Sequence, residues 1–587
     1  MWWSGGRARS MLRAASGICR VRRHDRGRVC LPGGLWVLLG LVGSGVACRT
    51  DEIVTPRPVQ RQIPQTGGDA HLIHWGALGD DSLWAYISAS RRQADVGLRS
   101  PGRKGMDKGR VLISASERVV ALQSLESEPG VQLLRADTLL PIAKVLLTDK
   151  RALRALRDNP FVEYVEPAAF VDPHSRRTLG WASLAWGCGK EQYMGPRANS
   201  YIWPGDLLPW NYRVMNIDSA WIYSNGRGVT IGIVDTGVDE NVGELNAFFD
   251  SFMSGGRVFD KAATNPAYDA SNPWHDNCGH GTRIASVIGA PRNGYGIVGV
   301  AWGSNLYAVR VDDDVILTEV EATRLGIRAA ASRARIVAMA FGTYAYYSSI
   351  AQEIAHWYYN SDRLLLAAAG TTNCIDPFHF VTFPGTLETV TTVTGFQYGG
   401  GLACNVSYGW QVDFAAYTNQ PAQGLHGMGT TLTGIDGSSG ATAVIAGMAA
   451  LYLSLNSSAS RSQILTALAY AASPTGFKSP LWGYGAPDGL CLVSAMCTAW
   501  IEGPNLIQES GTYTWTVRQA ASPGPFEYRW SSGETTQTIT RDIVVYPGML
   551  EYAFDLNVLV SDTRSGRTRT DRKTVIVRYP YDCPTCY

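Results

Sequence analysis

Three glycine-rich segments supply residues that, taken together, could activate a hydroxyl group for attack on a carbonyl carbon. In chain order, these residues are Asp235, His280 and Ser439. In such a set the aspartate orients the histidine, the histidine removes the serine proton, and the serine oxygen becomes the nucleophile. Each residue alone has an ordinary structural explanation, since Asp-Thr-Gly turns end strands and a serine at a helix start acts as an N-cap. The prediction therefore rests on the set.

The residue order disfavours one other class of hydrolase. An esterase of the α/β-hydrolase type carries Gly-x-Ser-x-Gly and the order Ser, Asp, His. Here Ala441 stands where the last glycine of that motif would be, and the serine comes last in the chain. We therefore interpret the set as a peptidase site rather than an esterase site.

Apolar runs and helical patterns alternate through the part of the chain that contains these residues. The predicted strands are Val229–Val234, Leu306–Val311, Ile336–Ala340, Leu364–Ala368 and Val390–Thr394. The predicted helices are His280–Gly289, Thr318–Ala331, Ile350–Asn360, Gly440–Leu455 and Ser460–Ala472. This alternation predicts a doubly wound α/β domain with a parallel sheet and helices on both faces. Functional loops should gather at the carboxyl ends of its strands.

The three segments, Gly232–Asp239, His280–Ser286 and Gly437–Gly447, together resemble the signatures of the subtilisin-like serine peptidases, in the family's order. Gly299-Val300-Ala301, after the histidine segment, also matches the family. The resemblance covers about Leu208–Cys497. It implies a secreted serine endopeptidase that hydrolyses polypeptides through an acyl-enzyme intermediate. Ser439 would be the nucleophile, His280 the general base and Asp235 its orienting partner.

The oxyanion hole is where the chain departs from the family. The family has an asparagine after a run similar to Ala367–Gly370, and this chain has Thr371 at that position. A threonine hydroxyl can donate one hydrogen bond, although the side chain is shorter and β-branched. We expect Thr371 and the backbone N–H of Ser439 to form the hole, with Asn373 as an alternative donor. The departure keeps a second hypothesis open: a catalytically weak or inactive subtilisin-like protein that acts as a binding module.

The resemblance also implies which residues contact the substrate. One edge of the cleft should pair with extended substrate backbone, a role that falls to Ala340, Phe341 and Gly342. One wall of the first specificity pocket should be formed by Ala368, Ala369 and Gly370. The small side chains of this wall favour an apolar substrate residue.

The N-terminus has the pattern of an export signal. An arginine-rich start precedes Leu35–Ala47, which is apolar but shorter than the roughly 20 residues that span a bilayer. Residues 1–47 are therefore predicted to be a signal peptide. Cys48 follows small residues, as in bacterial lipoproteins, so lipidation of Cys48 and ordinary cleavage near Ala47 both remain open. Either interpretation places the protein outside the cytoplasm, secreted or attached to the cell envelope.

The segments on either side of the peptidase-like region have different patterns. Residues 48–108 are interpreted as a linker with one short strand at Leu83–Ser88. Residues 109–172 show a β-α-β-β-α-β pattern that starts at Val111–Ser114, which is the ferredoxin-like order. This segment resembles the inhibitory propeptide of subtilisin-like zymogens. The peptidase domain would then occupy 173–498, and 499–587, rich in short β runs, is predicted to be an immunoglobulin-like β-sandwich.

Cysteine content and charge limit the remaining possibilities. The chain has 11 cysteines, and removing the three up to Cys48 leaves eight, an even number that suggests disulfides in an exported protein. The formal net charge of only +2 gives no reason to expect a nucleic-acid partner. We predict no catalytic cofactor. Family members often bind structural calcium, but no ligand set can be assigned from the sequence, and Asp312–Asp314 does not have EF-hand spacing.

Overall fold

The structure, a computed structural model, describes most of the chain after residue 70. The described residues are 71–173, 188, 199–372, 374, 379–424, 433–473, 477–494, 499–519, 526–547, 549, 551–562 and 568–579. The predicted signal peptide at 1–47, the candidate lipidation site Cys48 and the alternative oxyanion donor Asn373 lie outside them.

A sheet of seven parallel strands forms the centre of the molecule. Its spatial order is Phe259–Ala263, Asn305–Arg310, Thr230–Asp235, Ile336–Met339, Leu364–Ala368, Thr391–Phe396 and Val412–Tyr417. The predicted doubly wound α/β architecture is confirmed. The five predicted strands all lie in this sheet, and the two that the sequence did not reveal are its edges. One missed edge strand, Phe259–Ala263, is only partly buried and contains Asp260 and Lys261, so it lacks an apolar pattern.

Helices cover both faces of the sheet, and alternate strand residues point to opposite faces. On one face, Ile231 and Ile233 share a core with the helices His280–Gly289 and Gly437–Leu455. On the other face, Val234 belongs to a core shared with two further helices. These helices are Val320–Arg333 and Ser348–Ser361.

The longest helix of the domain carries the predicted nucleophile. Among the described helices, only Gly437–Leu455 is long and apolar enough to cross a membrane, but most of it is buried inside the protein, as in a core helix. The helix begins three residues before the predicted start at Gly440, because Asp436 caps it by accepting a hydrogen bond from the Gly437 N–H at 2.6 Å. Ser439 therefore lies in the first turn.

Smaller elements complete the central region. The short strands are Ser200–Ile202, Asp206–Leu208, Ala345–Tyr346, Gln420–Ala422 and Thr433–Ile435. The remaining helices are Trp210–Val214, Ile217–Ala220, Arg461–Ala472 and Gly489–Ser494, with 3-10 turns at Gly243–Leu245 and Phe252–Ser254.

The N-terminal region, 71–173, forms an antiparallel sheet with helices that pack on the peptidase-like region. The four strands lie in the spatial order Val131–Ala136, Ile142–Leu147, Gln93–Leu98 and Val162–Pro167. The helices are Asp80–Ala89, Ala115–Ser127 and Lys150–Asp158, after a 3-10 turn at Trp75–Ala77. A short strand, Ile73–His74, pairs with Ala345–Tyr346. Leu98, Leu125 and Val145 share one core with Ile350 and Ile354.

Two predictions for this region are wrong. The strand predicted at Leu83–Ser88 belongs to a helix, because Leu83 and Ile87, four residues apart, share its buried face. The first strand of the sheet is Gln93–Leu98, not Val111–Ser114. Arg110–Val111 forms only a short hairpin with Met106–Asp107, and Ser114 already caps the next helix. The predicted linker 48–108 therefore contains folded structure from residue 71, and the boundary at 109 is too late.

The C-terminal region consists of β-strands in its described residues. One sheet has the order Ala499–Glu502, Gly511–Gln519 and Thr538–Ile543, and the other has the order Leu506–Ile507, Thr568–Val577, Tyr552–Asp562 and Phe526–Trp530. The two sheets share a core that includes Trp515 and Trp530. Arg572 of this region forms an ion pair with Asp218 at 2.9 Å, which fastens it to the central domain.

Candidate active site

Asp235 and His280 form a buried hydrogen-bonded pair. Asp235 is the last residue of a central strand, and His280 is the first residue of the helix that follows a long loop. The Nδ1 atom of His280 lies 2.8 Å from Oδ1 of Asp235, and both residues are only 3% exposed. The Nε2 atom is therefore the ring nitrogen left for proton transfer.

Asp276 organises the residues around this pair, and the sequence analysis did not identify it. Its carboxylate accepts hydrogen bonds from the Thr236 hydroxyl at 2.9 Å, from the Gly279 N–H at 2.7 Å and from the Thr282 hydroxyl at 2.7 Å. The Thr236 N–H in turn donates to Oδ1 of Asp235 at 2.8 Å. Burial raises the pKa of Asp276, and these hydrogen bonds oppose that shift. The only sequence signal was an aspartate four residues before the histidine.

A glycine is required where the loop after Asp235 meets the helix that begins at His280. A Cβ atom on Gly281 would clash with the backbone carbonyl of Gly237. The absence of side chains here lets the histidine helix approach the aspartate loop closely. Packing between the two motifs thus explains the glycine at position 281.

The hydroxyl of Ser439 is hydrogen-bonded away from the histidine. Ser439 is half-buried and lies in the first turn of its helix, where backbone N–H groups have no intrahelical acceptor. Its Oγ donates to the carbonyl oxygen of Ala340 at 2.9 Å. His280 and Ser439 nevertheless line the same cleft.

This cleft has a volume of about 270 Å³ and collects most of the predicted site residues. The predicted residues that line it are His280, Ala340, Phe341, Gly342, Ala368, Gly370, Thr371 and Ser439. Ala369 does not line it. Ala369 is fully buried and packs with Val381 and Val412, because successive residues of an extended segment point to opposite sides. Its assignment to the pocket wall was wrong.

The predicted substrate-binding edge is already paired at one end. The N–H of Gly342 donates to Val315 at 3.3 Å, and the Leu317 N–H donates to Gly342 at 3.1 Å. Val315 and Ile316 also line the cleft. Both backbone hydrogen-bonding groups of Gly342 are therefore paired with residues 315 and 317 of this chain, beside the cleft.

Thr371 lies beside the N-terminus of the nucleophile helix. The Ser438 N–H donates to Thr371 Oγ1 at 3.3 Å, and the two hydroxyl oxygens of Thr371 and Ser438 are also 3.3 Å apart. The Gly370 N–H donates to Ser438 Oγ at 3.0 Å. Gly437 has φ of 68°, and a Cβ atom there would clash with the Thr371 side chain. Thr371 is therefore positioned at the predicted oxyanion hole.

Asn405 is a second polar side chain at this end of the cleft, and the sequence offered no signal for it. It lines the cleft with Thr371 and Ser439, and its amide donates to Asp436 Oδ2 at 3.2 Å. Its position results from backbone pairing, because its carbonyl accepts the Thr372 N–H at 2.7 Å. The Cys374–Cys404 disulfide joins the same two segments.

A second disulfide joins Cys188 to Cys278, which precedes His280 by two residues. Cys491 is also disulfide-bonded. Two cysteine pairs that are close in the sequence, Cys491 with Cys497 and Cys583 with Cys586, each include residues outside the described part of the chain. Disulfides are thus present, as the even cysteine count suggested.

A buried Asp–His pair and a serine at the carboxyl edge of a parallel α/β sheet define a serine hydrolase. Residues 226–486 match the sequence model of the Subtilase family. The thermostable alkaline protease of Halalkalibacterium halodurans is 26% identical over 394 residues, which are 66% of this chain and 93% of that protein. Subtilisin E of Bacillus subtilis is 23% identical over 391 residues, covering 65% of this chain and 90% of that protein.

A third protease matches a shorter part of the chain. The minor extracellular protease Epr of Bacillus subtilis is 29% identical over 209 residues, which are 35% of this chain and 30% of that protein. The chain is therefore a subtilisin-like serine peptidase, and the match to the Subtilase model lies in residues 226–486. It is accordingly a serine-type endopeptidase, and its substrates are polypeptides.

Proposed function

We propose that Asp235, His280 and Ser439 form the catalytic triad of this endopeptidase. The Ser439 oxygen attacks the scissile carbonyl carbon while Nε2 of His280 takes the hydroxyl proton, and His280 then protonates the leaving amine. Water hydrolyses the acyl-enzyme by the same route in reverse. Asp235 holds Nδ1 protonated and stabilises the imidazolium. The 2.8 Å contact between Asp235 and His280 at one wall of the Ser439 cleft is the observation that supports this assignment.

Substrate binding would release the serine hydroxyl for catalysis. The Ala340 carbonyl that Ser439 now engages lies on the edge where substrate backbone is expected to pair. A substrate N–H that donates to this carbonyl displaces the hydroxyl, which then turns to His280. The resting contact is therefore compatible with an active enzyme.

The developing oxyanion would be stabilised at the start of the nucleophile helix. The Ser439 N–H is one donor, favoured by the helix dipole. Thr371 supplies its hydroxyl as the second donor. Asn405, on the same wall, is the amide that could assist it. Ala340, Phe341 and Gly342 bind substrate backbone, and Ala368 and Gly370 border the first specificity pocket.

The N-terminal region would act as an inhibitory propeptide of a zymogen. Glu166 accepts hydrogen bonds from the N–H groups of Ser348 and Ser349, at 2.7 and 3.0 Å, and so caps a helix of the peptidase domain. The segment after Glu166 continues along this domain, where the Phe170 N–H donates to Thr318 at 2.9 Å. Residues 315 and 316, a few positions from Thr318, line the cleft. The chain thus leaves the N-terminal region in the direction of the active site.

Structural calcium would be held by buried carboxylate oxygens of Glu244 and Asp206 that accept no hydrogen bond among the described residues. Both carboxylate oxygens of Glu244 and Oδ2 of Asp206 are buried and unpartnered. Burial, with the charge of Asp206, raises the pKa of Glu244 to about 8. Oxygen donors of this kind suit Ca²⁺, which would compensate two neighbouring carboxylates. Its role would be structural, separate from the catalytic chemistry.

We further propose that the protein is exported and that Cys48 is lipidated. We also propose that residues 499–587 form an immunoglobulin-like domain. Export agrees with the extracellular relative named above. The two sheets around the Trp515 core agree with a sandwich. We propose no nucleic-acid partner and no catalytic cofactor.

The deciding experiment compares the full chain with Ser439→Ala and with Ser438→Ala, the neighbouring serine, as a matched control. An active zymogen should release its N-terminal region and react with a fluorophosphonate probe. Ser439→Ala should do neither, whereas Ser438→Ala should still be labelled. If all three chains stay intact and unlabelled, the chain is the inactive binding module instead. If Ser438→Ala abolishes labelling and Ser439→Ala does not, the assigned nucleophile is wrong.

A further inference from the structure

A histidine and two carboxylates meet close to the loops that carry Asp235 and His280. Asp239, Glu240 and His275, here called the Asp239 cluster, place one ligand atom each within 4.8 Å of the others. Nδ1 of His275 lies 3.1 Å from Glu240 Oε2 and 4.0 Å from Asp239 Oδ1. The His275 side chain is 36% exposed, so a solvated ion can reach the cluster.

The chemistry of the cluster selects the kind of ion. One imidazole nitrogen with two carboxylate oxygens is a donor set suited to Zn²⁺ and similar transition metals. Ca²⁺ prefers oxygen donors alone and would not need the histidine. The cluster therefore differs in kind from the Asp206 and Glu244 pair.

A fourth oxygen is available beside the cluster. The amide nitrogen of Asn272 donates to Glu240 Oε1, while Oδ1 of Asn272 is buried and has no hydrogen-bond partner among the described residues. Rotating this amide by half a turn would aim Oδ1 at the cluster. The unpartnered oxygen is an independent sign that a cation can be accommodated here.

Lys261 is the positive charge that a metal ion would have to compete with. Burial lowers the pKa of its ammonium group, and the charges of Glu240 and Asp239 oppose that shift. A positive charge near two carboxylates repels an approaching cation. Replacing it should therefore favour metal binding.

The cluster joins the two loops that carry the catalytic Asp–His pair. Asp239 follows Asp235 by four residues, and its N–H donates to the hydroxyl of Thr282 at 3.0 Å, on the helix that begins at His280. His275 precedes Asp276, whose carboxylate holds the start of that helix. An ion bound by Asp239, Glu240 and His275 would hold these loops together.

We infer that the Asp239 cluster binds one transition-metal ion of the Zn²⁺ class, which fastens the Asp235 loop to the His280 loop and stabilises the protein. The ion takes no part in peptide hydrolysis, so the site is independent of the catalytic role proposed above.

The test uses the full chain carrying Ser439→Ala, so that no proteolysis occurs, with Ca²⁺ in excess to fill oxygen-only sites. Zn²⁺ is titrated by calorimetry into this chain and into its His275→Gln and Glu240→Gln derivatives. Asp269→Asn, on an exposed part of the same loop, is the matched control. We expect one Zn²⁺ per chain, at least about tenfold weaker binding in both cluster variants and unchanged binding in the control.

Two further measurements distinguish a loss of Zn²⁺ binding from misfolding of a variant. Lys261→Gln should bind Zn²⁺ more tightly than the parent chain, a gain that misfolding cannot produce. Zn²⁺ should also raise the thermal unfolding midpoint of the parent but not of His275→Gln. The inference is overturned by any of three results: no Zn²⁺ binding by the parent, equal binding after His275→Gln, or equal loss in Asp269→Asn.

Discussion

The two halves of the catalytic cleft are built in different ways. The half proposed to move protons consists of Asp235 and His280. It is buried, and Asp276 holds it through hydrogen bonds within the Asp235 motif, the His280 motif and the loop between them. The half proposed to hold the acyl group brings together Ser439, Thr371 and Asn405 from three separate segments. In this second half the serine hydroxyl is bonded to Ala340 rather than to the histidine.

This difference between the two halves indicates which of them tolerates amino-acid substitutions. A proton relay requires one geometry, and a dense buried hydrogen-bond network keeps it fixed. An oxyanion can be stabilised by any donor at the right distance, so its side-chain donor can change identity if neighbouring segments compensate. We therefore expect substitutions in the first half to abolish activity and those in the second half to reduce it by degrees.

The largest effect should come from Asp235→Asn. The amide cannot hold His280 in the tautomer that accepts the serine proton, so the rate of self-processing should fall by about 10⁴-fold, the magnitude established for serine proteases of this type. The rate of propeptide release by the purified chain measures it, with Asp313→Asn on an exposed loop as control. A loss below about tenfold would mean that the pair does not control catalysis.

Thr371→Val should have the next largest effect. It removes the hydroxyl but keeps the shape, so kcat should fall by about 10²-fold with little change in KM. Thr371→Ser, which retains the hydroxyl, is the matched control and should remain close to the parent. If valine and serine behave alike, Thr371 is not the oxyanion donor.

Asn405→Leu tests the second donor and should cost less, roughly tenfold in kcat, because its amide also bonds to Asp436. Combining it with Thr371→Val shows whether the two side chains act on the same oxyanion. Additive losses in the double variant would mean that they act independently.

The smallest effect concerns pH and the N-terminal region. Burial raises the pKa of Glu166 from 4.5 to about 8, so the folded chain holds a proton that the unfolded chain releases between those values. Stability from this group is complete below about pH 4.5 and is lost as the pH rises towards 8. We therefore compare the Ser439→Ala chain with the same chain carrying Glu166→Gln. Between pH 5 and 8, the unfolding midpoint of the Glu166→Gln chain should rise relative to that of the chain with Glu166. Parallel profiles for the two chains would contradict this assignment.

The sequence predicted best those elements whose residue pattern agrees with their place in the folded core. The helix predicted at His280–Gly289 and the strand at Leu364–Ala368 were found with the predicted bounds, and each is buried along its whole length. Leu83–Ser88 was misread because its apolar residues also fit a short strand. Only packing against the N-terminal sheet shows that Leu83 and Ile87 share a helical face.

The sequence by itself determined the enzyme class and three candidate catalytic residues, because the chemistry requires specific side chains in glycine-rich settings that leave a motif. The tertiary structure decided the surroundings of those residues. It placed Asp276 under the histidine helix, turned Ala369 into the core and brought Asn405 beside Ser439. These contacts leave no local pattern, because they depend on how segments distant in sequence pair across the sheet.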